Sequence, residues 1–457
     1  MFGNAQSAAA ASDIQSEPQF ITSQDASLQP GPALPPSVGT ARGAVVESAP
    51  EVSTVSGPYS EKYWDAFSNV DLNTLHSAAR NDAETRFASA MDLLAAGYYD
   101  QAESTLIEAS KQVSEINVAV ASRIMLASLL RYQHKWTQLR DLPLTSPLPT
   151  NDNTLTNDLE KWGTAFAGVP EQTIQFPDAE ITLPLRMTAV GTPTVRVRIN
   201  GKNYDFWLDT GSTMTVISSE VAEAVGSTVL SPQVLDVKTF AGTAPVKATT
   251  INSLEIGSIK ISNSPAVILD ASLMYLRTSG TGAMPTGIIV DGIIGWDVIR
   301  HFDMTMDYAE RRITLKQPLF RGNAGGSLVW LARPLVEVTN KAGSKFHFTL
   351  DTGAQASFLN ATILDRLGLV TKSSGTKVYG LAHTGKETTR VLPVLDLDVA
   401  GKAVTLRNVI VYGPVESGLI NCDGILGSDI ATYGAIHIDA TNGVFSVGQS
   451  DGEDATE

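Results

Sequence analysis

The spacing of apolar side chains differs between the first and second parts of the chain. Over residues 59–142 apolar positions recur at three- and four-residue steps, as at Phe87, Met91 and Leu94, which places them on one face of an α-helix. Beyond about residue 180, short stretches alternate between apolar and polar positions, the period of half-buried β-strands. One of them ends in Asn200-Gly201, a pair typical of a tight hairpin turn. The pattern predicts a helical region followed by a mainly antiparallel β region.

The β region contains one short pattern twice. Residues 206–212 and residues 348–354 each carry an apolar, strand-like run that ends in Asp-Thr-Gly, with the acids at Asp209 and Asp351. A single Asp-Thr-Gly is most often a β-turn, because Asp and Gly are favoured turn residues. Here, however, the sequence that follows each acid repeats as well.

Two further anchors follow each acid in the same order. The first is a short helical stretch that ends in glycine, at Gly226 and at Gly368, and the second is an Asp-Gly-apolar-apolar-Gly motif at residues 291–295 and 423–427. Three anchors in one order define an internal repeat. Two acids in equivalent positions of such a repeat can meet across a pseudo-twofold axis and share one proton, which is the chemistry of an aspartic peptidase.

Pattern and composition together divide the chain into segments. The start is rich in Ala, Ser, Pro and Gln without a sustained period, which is typical of disorder, and the polar, proline-containing stretch over residues 143–157 indicates a linker. The predicted segments are a disordered tail (1–57), a helical domain (58–145), a linker (146–178), a first protease-like lobe (179–325), a second lobe (326–450) and an acidic tail (451–457).

At the Asp-Thr-Gly and apolar-apolar-Gly motifs the chain resembles the retropepsin-like aspartic proteases, in particular the bacterial aspartyl proteases with one or two such units. The resemblance covers residues 180–450 and does not extend to residues 1–170. It implies a mainly β, bilobed, pseudo-twofold acid-protease β-barrel fold, preceded here by the α-helical domain. It also implies that Asp209 and Asp351 are the catalytic acids of an aspartic-type endopeptidase.

The same resemblance assigns roles to the residues beside the acids. Thr210 and Thr352 are implied to join the two loops by hydrogen bonds across the axis. Gly211 and Gly353 permit a tight backbone path, and their amides can hydrogen-bond a carboxylate.

The next position differs between the two loops. Ser212 can hydrogen-bond the outer oxygen of Asp209, whereas Ala354 has no hydroxyl to do the same for Asp351. We therefore predict that the two acids are inequivalent.

The resemblance also assigns residues that support the catalytic loops and residues that cover a bound substrate. The apolar-apolar-Gly motif is implied to pack beneath the catalytic loop; its residues are Ile293, Ile294 and Gly295 in the first unit and Ile425, Leu426 and Gly427 in the second. Each lobe is implied to supply a hairpin flap, although each candidate can equally be a plain surface hairpin. The flap candidates are Phe240 and Gly242 in the first lobe and Tyr379 and Gly380 in the second. We expect Asp307 and Asp439, which open later strand-like segments, to be solvated.

Composition and charge exclude several classes of function. The net charge of −15 argues against nucleic-acid or anionic-membrane partners, and no apolar run approaches the roughly 20 residues of a spanning helix. The single cysteine, Cys422, cannot form an intrachain disulfide, and a small buried role is expected for it. The six histidines show no metal-ligand spacing, so we expect neither a metal nor another cofactor.

The start of the chain gives two expectations for localisation. It lacks the basic and apolar regions of an intact secretory signal. Its Ala-rich opening resembles a mature chain whose signal was removed, which favours a periplasmic or secreted protein, but an ordinary cytosolic tail has the same composition.

The helical domain offers a second type of function. Residues 93–102 resemble the small-residue turn of a tetratricopeptide-type helical pair, a module that can recruit a protein partner. An ordinary helical domain packed on the protease is the alternative.

The sequence thus predicts a monomeric aspartic endopeptidase whose site forms within one chain as a pseudo-dimer. Asp209 and Asp351 would hold a water between them and act on a peptide or protein substrate bound in extended form. Two alternatives stay open: a peptide-binding module without turnover, and an interaction protein whose helical half recruits a partner.

Overall fold

The computed structural model describes residues 61–112, 114–142, 154–239, 242–277, 287–322, 326–373, 377–380, 383–387, 390–412 and 419–448. Within these residues the chain is helical first and mainly β afterwards, as predicted. No helix in the described ranges is long and apolar enough to cross a bilayer.

The helical region buries the apolar positions that its period predicts. Phe87, Met91 and Leu94 are fully buried on one face, and the turn that follows them contains Gly97 with a φ of 76°. The helices are α1 (Glu61–Ser68), α2 (Leu72–Ala78), α3 (Asp82–Ala95), α4 (Tyr99–Ser110), α5 (Ile116–Tyr132), α6 (Trp136–Asp141) and α7 (Thr154–Phe166).

Helix α7 corrects the prediction of a linker over residues 146–178. Leu159, Trp162 and Phe166 recur at helical spacing and are buried, so this stretch has an amphipathic face that the preceding prolines conceal in the sequence. A Cβ placed on Gly163 would lie 2.5 Å from the backbone nitrogen of Arg140, so α7 packs directly on α6. The same segment also contributes a strand, Thr173–Gln175.

The first lobe is a β-barrel with two short helices. Its turn residues behave as the sequence predicts: Asn200 and Gly201 both have positive φ in a hairpin turn, and Gly226 ends a helix in the left-handed conformation. The elements are β1 (Thr173–Gln175), β2 (Ile181–Pro184), β3 (Arg186–Met187), β4 (Pro193–Ile199), β5 (Lys202–Leu208), β6 (Thr215–Ser218), α8 (Ser219–Val225), β7 (Val229–Thr239), β8 (Gly242–Ile256), β9 (Ile259–Leu269), β10 (Tyr275–Arg277), β11 (Gly287–Ile289), β12 (Gly292–Ile294), α9 (Trp296–Ile299), β13 (Asp303–Asp307) and β14 (Arg312–Lys316).

The second lobe repeats this order, and Gly368 ends its helix as Gly226 does in the first. The elements are β15 (Leu328–Trp330), β16 (Pro334–Thr339), β17 (Lys345–Leu350), β18 (Phe358–Asn360), α10 (Ala361–Leu367), β19 (Lys372–Ser373), β20 (Lys377–Gly380), β21 (His383–Glu387), β22 (Arg390–Val399), β23 (Lys402–Tyr412), β24 (Gly424–Leu426), a 3₁₀ helix (Ser428–Tyr433), β25 (Ala435–Asp439) and β26 (Val444–Gly448).

The strands around each acid have the same topology in both lobes. In the first lobe β12 lies between β5 and β6, parallel to β5 and antiparallel to β6. In the second lobe β24 lies between β17 and β18 with the same two orientations. The mainly β, bilobed, pseudo-twofold fold is therefore confirmed.

One sheet joins the two lobes, in the strand order β2-β14-β13-β25-β26. Its central pair is antiparallel, with Met304 opposite Ile438, and both residues are fully buried. The buried side chains of this sheet stabilise the contact between the lobes. Apolar burial contributes roughly 25 cal/mol of stability per Å² of area removed from water.

The shared sheet also overturns the expectation that Asp307 and Asp439 are solvated. Both side chains are buried at the ends of the central strands. The amide of Glu310 donates to Oδ1 of Asp307 at 2.8 Å, and the amide of Asn442 donates to Oδ1 of Asp439 at 3.1 Å. Each acid therefore stabilises the turn that follows its strand. The two strands that carry these acids pair with each other across the lobes.

The helical region packs on both lobes. Trp330 of β15 stacks on Tyr132 of α5 with ring centroids 4.1 Å apart. Arg300, just after α9, also contacts Tyr132, with its guanidinium carbon 4.0 Å from the ring centroid. Near α1, the amide of Asn421 donates to the carbonyl of Ser68 at 2.7 Å. The tetratricopeptide resemblance of this region stays a prediction.

Candidate active site

Each acid is anchored through its own backbone amide. Asp209 follows β5, and its N–H donates to the carbonyl of Ile294 in β12 at 3.1 Å. Asp351 follows β17, and its N–H donates to the carbonyl of Leu426 in β24 at 2.9 Å. The apolar-apolar motif of each lobe thus holds the acid at the end of its strand, with Ile293 and Ile425 beside it in register with β5 and β17.

The glycines of these motifs lie against the loops, as the resemblance implies. A Cβ on Gly295 would lie 2.5 Å from the carbonyl oxygen of Met214, and one on Gly427 would lie 2.6 Å from that of Ala356. No side chain fits at such distances, so the close packing beneath each loop requires glycine.

Two threonines cross-link the loops. The amide of Thr210 donates to Oγ1 of Thr352 at 3.1 Å, and the amide of Thr352 donates to Oγ1 of Thr210 at 3.0 Å. Each hydroxyl in turn donates to a carbonyl of the opposite lobe, at Leu350 and at Leu208. All four groups are buried, and a buried unpaired polar group costs about 1–3 kcal/mol, so the lobes are held in a fixed relation.

The two carboxyl groups lie close enough to interact directly with each other. A Cβ on Gly211 would lie 2.5 Å from Cγ of Asp351, and one on Gly353 would lie 2.5 Å from Cγ of Asp209. Each loop glycine therefore makes room for the acid of the other lobe. Both acids remain partly exposed.

Backbone amides hold one oxygen of each carboxyl group. Oδ1 of Asp209 accepts from the amides of Gly211 at 2.8 Å and Ser212 at 3.1 Å. Oδ1 of Asp351 accepts from the amide of Ala354 at 2.9 Å. The orientation of both carboxyl groups is thus set by the backbone.

The hydroxyl of Ser212 does not make the bond that the sequence suggested. It donates to the carbonyl of Met214 at 2.8 Å. Because a hydroxyl has one proton to donate, it cannot also donate to Asp209. The basis on which we expected the two acids to be inequivalent is therefore wrong, and any inequivalence has another origin.

Burial raises the pKa of both Asp209 and Asp351 above the ordinary aspartate value. For Asp209 the negative charge of Asp351 raises the pKa further, and the amides of Gly211 and Ser212 partly offset the rise. Two like charges in contact cannot both be stable, so the pair keeps one proton at a pH where separate aspartates have lost theirs.

Sequence reasoning missed a second pair of acids that supports the loops. Oγ1 of Thr215 donates to Asp297 at 3.0 Å, and Oγ of Ser357 donates to Asp429 at 2.7 Å. Burial raises the pKa of Asp297 to about 7. The signal was present, because each acid follows its apolar-apolar-Gly motif at the same offset in both units.

The flap candidates within the described residues lie next to hairpin turns. Thr239 pairs with Gly242 where β7 turns into β8, and Phe240 between them lies outside the described residues. In the second lobe Tyr379 and Gly380 end β20, and Gly380 pairs with His383 of β21. Their role as flaps stays a prediction. The loop at residues 278–285 also lies outside the described residues.

Comparison with known proteins agrees with this geometry. The family model described as Aspartyl protease matches residues 195–298 and 336–430, one segment in each lobe. Each lobe therefore matches the aspartyl protease family model once. No curated protein sequence matches the chain.

Solved structures similar to this chain are distant in sequence. An aspartic proteinase from Irpex lacteus is 14% identical, with a TM-score of 0.38, over 61% of this chain and 99% of that one. A retropepsin-like aspartic protease from Rickettsia conorii is 16% identical, with a TM-score of 0.22, over 32% of this chain and 95% of that one.

The approach of the acids can be tested at Gly211. We expect Gly211→Ala to push Asp351 away from Asp209, because the new methyl group would overlap the Asp351 carboxyl group. The unfolding midpoint should fall, since overpacking of this kind costs about 1–3 kcal/mol, and the two acids should titrate more nearly as separate groups. Gly168→Ala is the matched control, because a Cβ there meets nothing within 4 Å. Equal behaviour of the two variants would contradict the close approach.

Proposed function

We propose that this protein is a catalytically active aspartic endopeptidase in which Asp209 and Asp351 form the catalytic dyad. The observation that carries the proposal is the contact between the two carboxyl groups, with one oxygen of each held by backbone amides. The partial exposure of both acids and the raised pKa of each support it. Peptide or protein substrates would bind extended, as an added strand.

The chemistry needs one proton on the pair. The ionised carboxylate accepts a proton from a water as its oxygen attacks the carbonyl carbon of the peptide bond. The protonated partner donates its proton to the carbonyl oxygen, giving a tetrahedral intermediate. The acid formed in the first step then protonates the leaving nitrogen, the C–N bond breaks, and the other carboxylate recovers its proton from the intermediate. The dyad ends with one proton, as it began, and no cofactor takes part.

Removing either acid tests the assignment. We expect Asp209→Asn and Asp351→Asn each to lower kcat/KM for peptide cleavage by about 10⁴-fold or more, because the two groups act as a unit. Their unfolding free energies at neutral pH should not fall, since an amide removes a charge that burial disfavours. Asp65→Asn is the control, because Asp65 is an exposed acid on α1.

Mixing the two inactive variants tests whether the site forms within one chain. If both acids come from the same chain, the mixture should remain inactive and the specific activity of the wild type should not change on dilution. Full activity in either single variant would contradict the dyad. Peptide binding without any cleavage by the wild type would favour the alternative of a binding module.

The pH dependence follows from the shared proton. We expect a bell-shaped profile of kcat/KM, because the base is lost when pH falls through the lower macroscopic pKa and the acid is lost when pH rises through the upper one. Burial raises the pKa of both groups, so the alkaline limb should lie above the ordinary aspartate value of about 3.9. Activity that rises steadily into the alkaline range would point to another mechanism.

A further inference from the structure

The helical region reaches the loop that carries Asp209. Arg131, near the end of α5, donates from Nη2 to Oγ1 of Thr213 at 3.2 Å. Thr213 follows Gly211 and Ser212 in the loop, and both Gly211 and Thr213 are exposed. The guanidinium group of the half-buried Arg131 therefore lies beside exposed residues of the Asp209 loop.

The guanidinium group of Arg131 packs on an aromatic side chain of α7. Its guanidinium carbon lies 4.2 Å from the centroid of the Trp162 ring. Helix α7 also packs against β7, the first strand of the hairpin that ends near residue 240. Glu160 and Thr164 of α7 line a shallow pocket together with Gln233 of β7. Arg131 thus joins the Asp209 loop to helix α7, and α7 in turn packs on a strand of the candidate flap hairpin.

The charge of Arg131 interacts with the buried carboxyl group of Asp297, which partly offsets the effect of burial on the Arg131 pKa, but the two groups form no ion pair. No carboxylate of the described residues forms an ion pair with it, whereas Arg196 pairs with Asp205 and Arg140 pairs with Asp141. Its hydrogen bond to Thr213 goes to a neutral hydroxyl and uses one of the five N–H donors of a guanidinium group. Burial lowers the pKa of Arg131 to about 10, so the group stays charged at neutral pH.

Distance limits where on a substrate this charge can act. The backbone advances at most about 3.6 Å per residue, so Thr213 lies within about 15 Å of Asp209. An extended peptide advances about 3.3 Å per residue, and this reach corresponds to about four residues of substrate.

We propose that Arg131 is a specificity-determining residue that binds a substrate carboxylate within about four residues of the cleaved bond. The carboxylate is that of an acidic side chain or of the peptide's own C-terminus, and a guanidinium group can bind either with two parallel hydrogen bonds. The proposal rests on the proposed peptidase function. It assigns to the helical domain a part of the substrate site.

Matched synthetic octapeptides test this inference. The two peptides of each pair differ at one position, which is Glu in one and Gln in the other, and the set of pairs covers positions on both sides of the cleaved bond. In a further pair, one peptide ends in a free carboxylate and the other in an amide. The wild type should prefer the charged member of one pair by about tenfold or more, since a hydrogen bond to a charged group contributes about 1.5–3 kcal/mol. A preference in a side-chain pair identifies an acidic residue as the ligand, and a preference in the terminal pair identifies the C-terminus.

Substitution of Arg131 then assigns the preference. In Arg131→Gln the ratio of kcat/KM between charged and neutral peptides should fall to near one, and in Arg131→Lys part of it should remain. Arg140→Gln removes an equal charge from α6 and should leave the ratio unchanged. A merely structural Arg131 would lower both rates together and keep the ratio, which would overturn the proposal, as would a wild type without any carboxylate preference.

Binding separates this proposal from the proposed function. The same peptides, labelled with a fluorophore, can be titrated by anisotropy into full-length Asp209→Asn protein with and without Arg131→Gln. If the wild type cleaves no peptide, the peptidase assignment fails, yet a charge preference in binding that disappears with Arg131→Gln still supports the carboxylate site. Equal binding of the charged and neutral peptides by both proteins would overturn the carboxylate site.

Discussion

The contact between two acids of like charge is the constraint on which the rest of the structure depends. Two carboxylates in contact repel each other, and burial adds to the cost, so the pair is stable only with a shared proton and a rigid frame. Gly211 and Gly353 provide the space, and Thr210 and Thr352 fix the distance between the lobes. The duplication of the unit supplies both halves of this frame from one chain.

The lobes differ in what lies beside their loops. Thr213 contacts Arg131 of the helical region, whereas the equivalent residue of the second loop, Gln355, lies close to Gly191 of the first lobe. The two ends of the candidate site are therefore chemically different. At the Asp209 loop this difference comes from the helical region.

The repeat made much of the fold and the candidate dyad predictable, because strand ends, turn glycines and acids recur in one order around Asp209 and Asp351. The remainder depends on long-range packing. Helix α7 follows prolines that suggest a linker, and Asp307 is buried by a sheet that forms only when the lobes meet. The bond from Arg131 to Thr213 joins residues 82 positions apart, and no local pattern links them.

The most direct test of the shared proton is a titration of the two side chains by ¹³C NMR of aspartate-labelled protein, with Asp209 and Asp351 assigned from their Asn variants. We predict two separated macroscopic steps, the upper one above the ordinary aspartate pKa of about 3.9. In either variant this pattern should collapse to a single step from the remaining acid. Two independent steps near the ordinary value, each unaffected by loss of the other acid, would contradict the account.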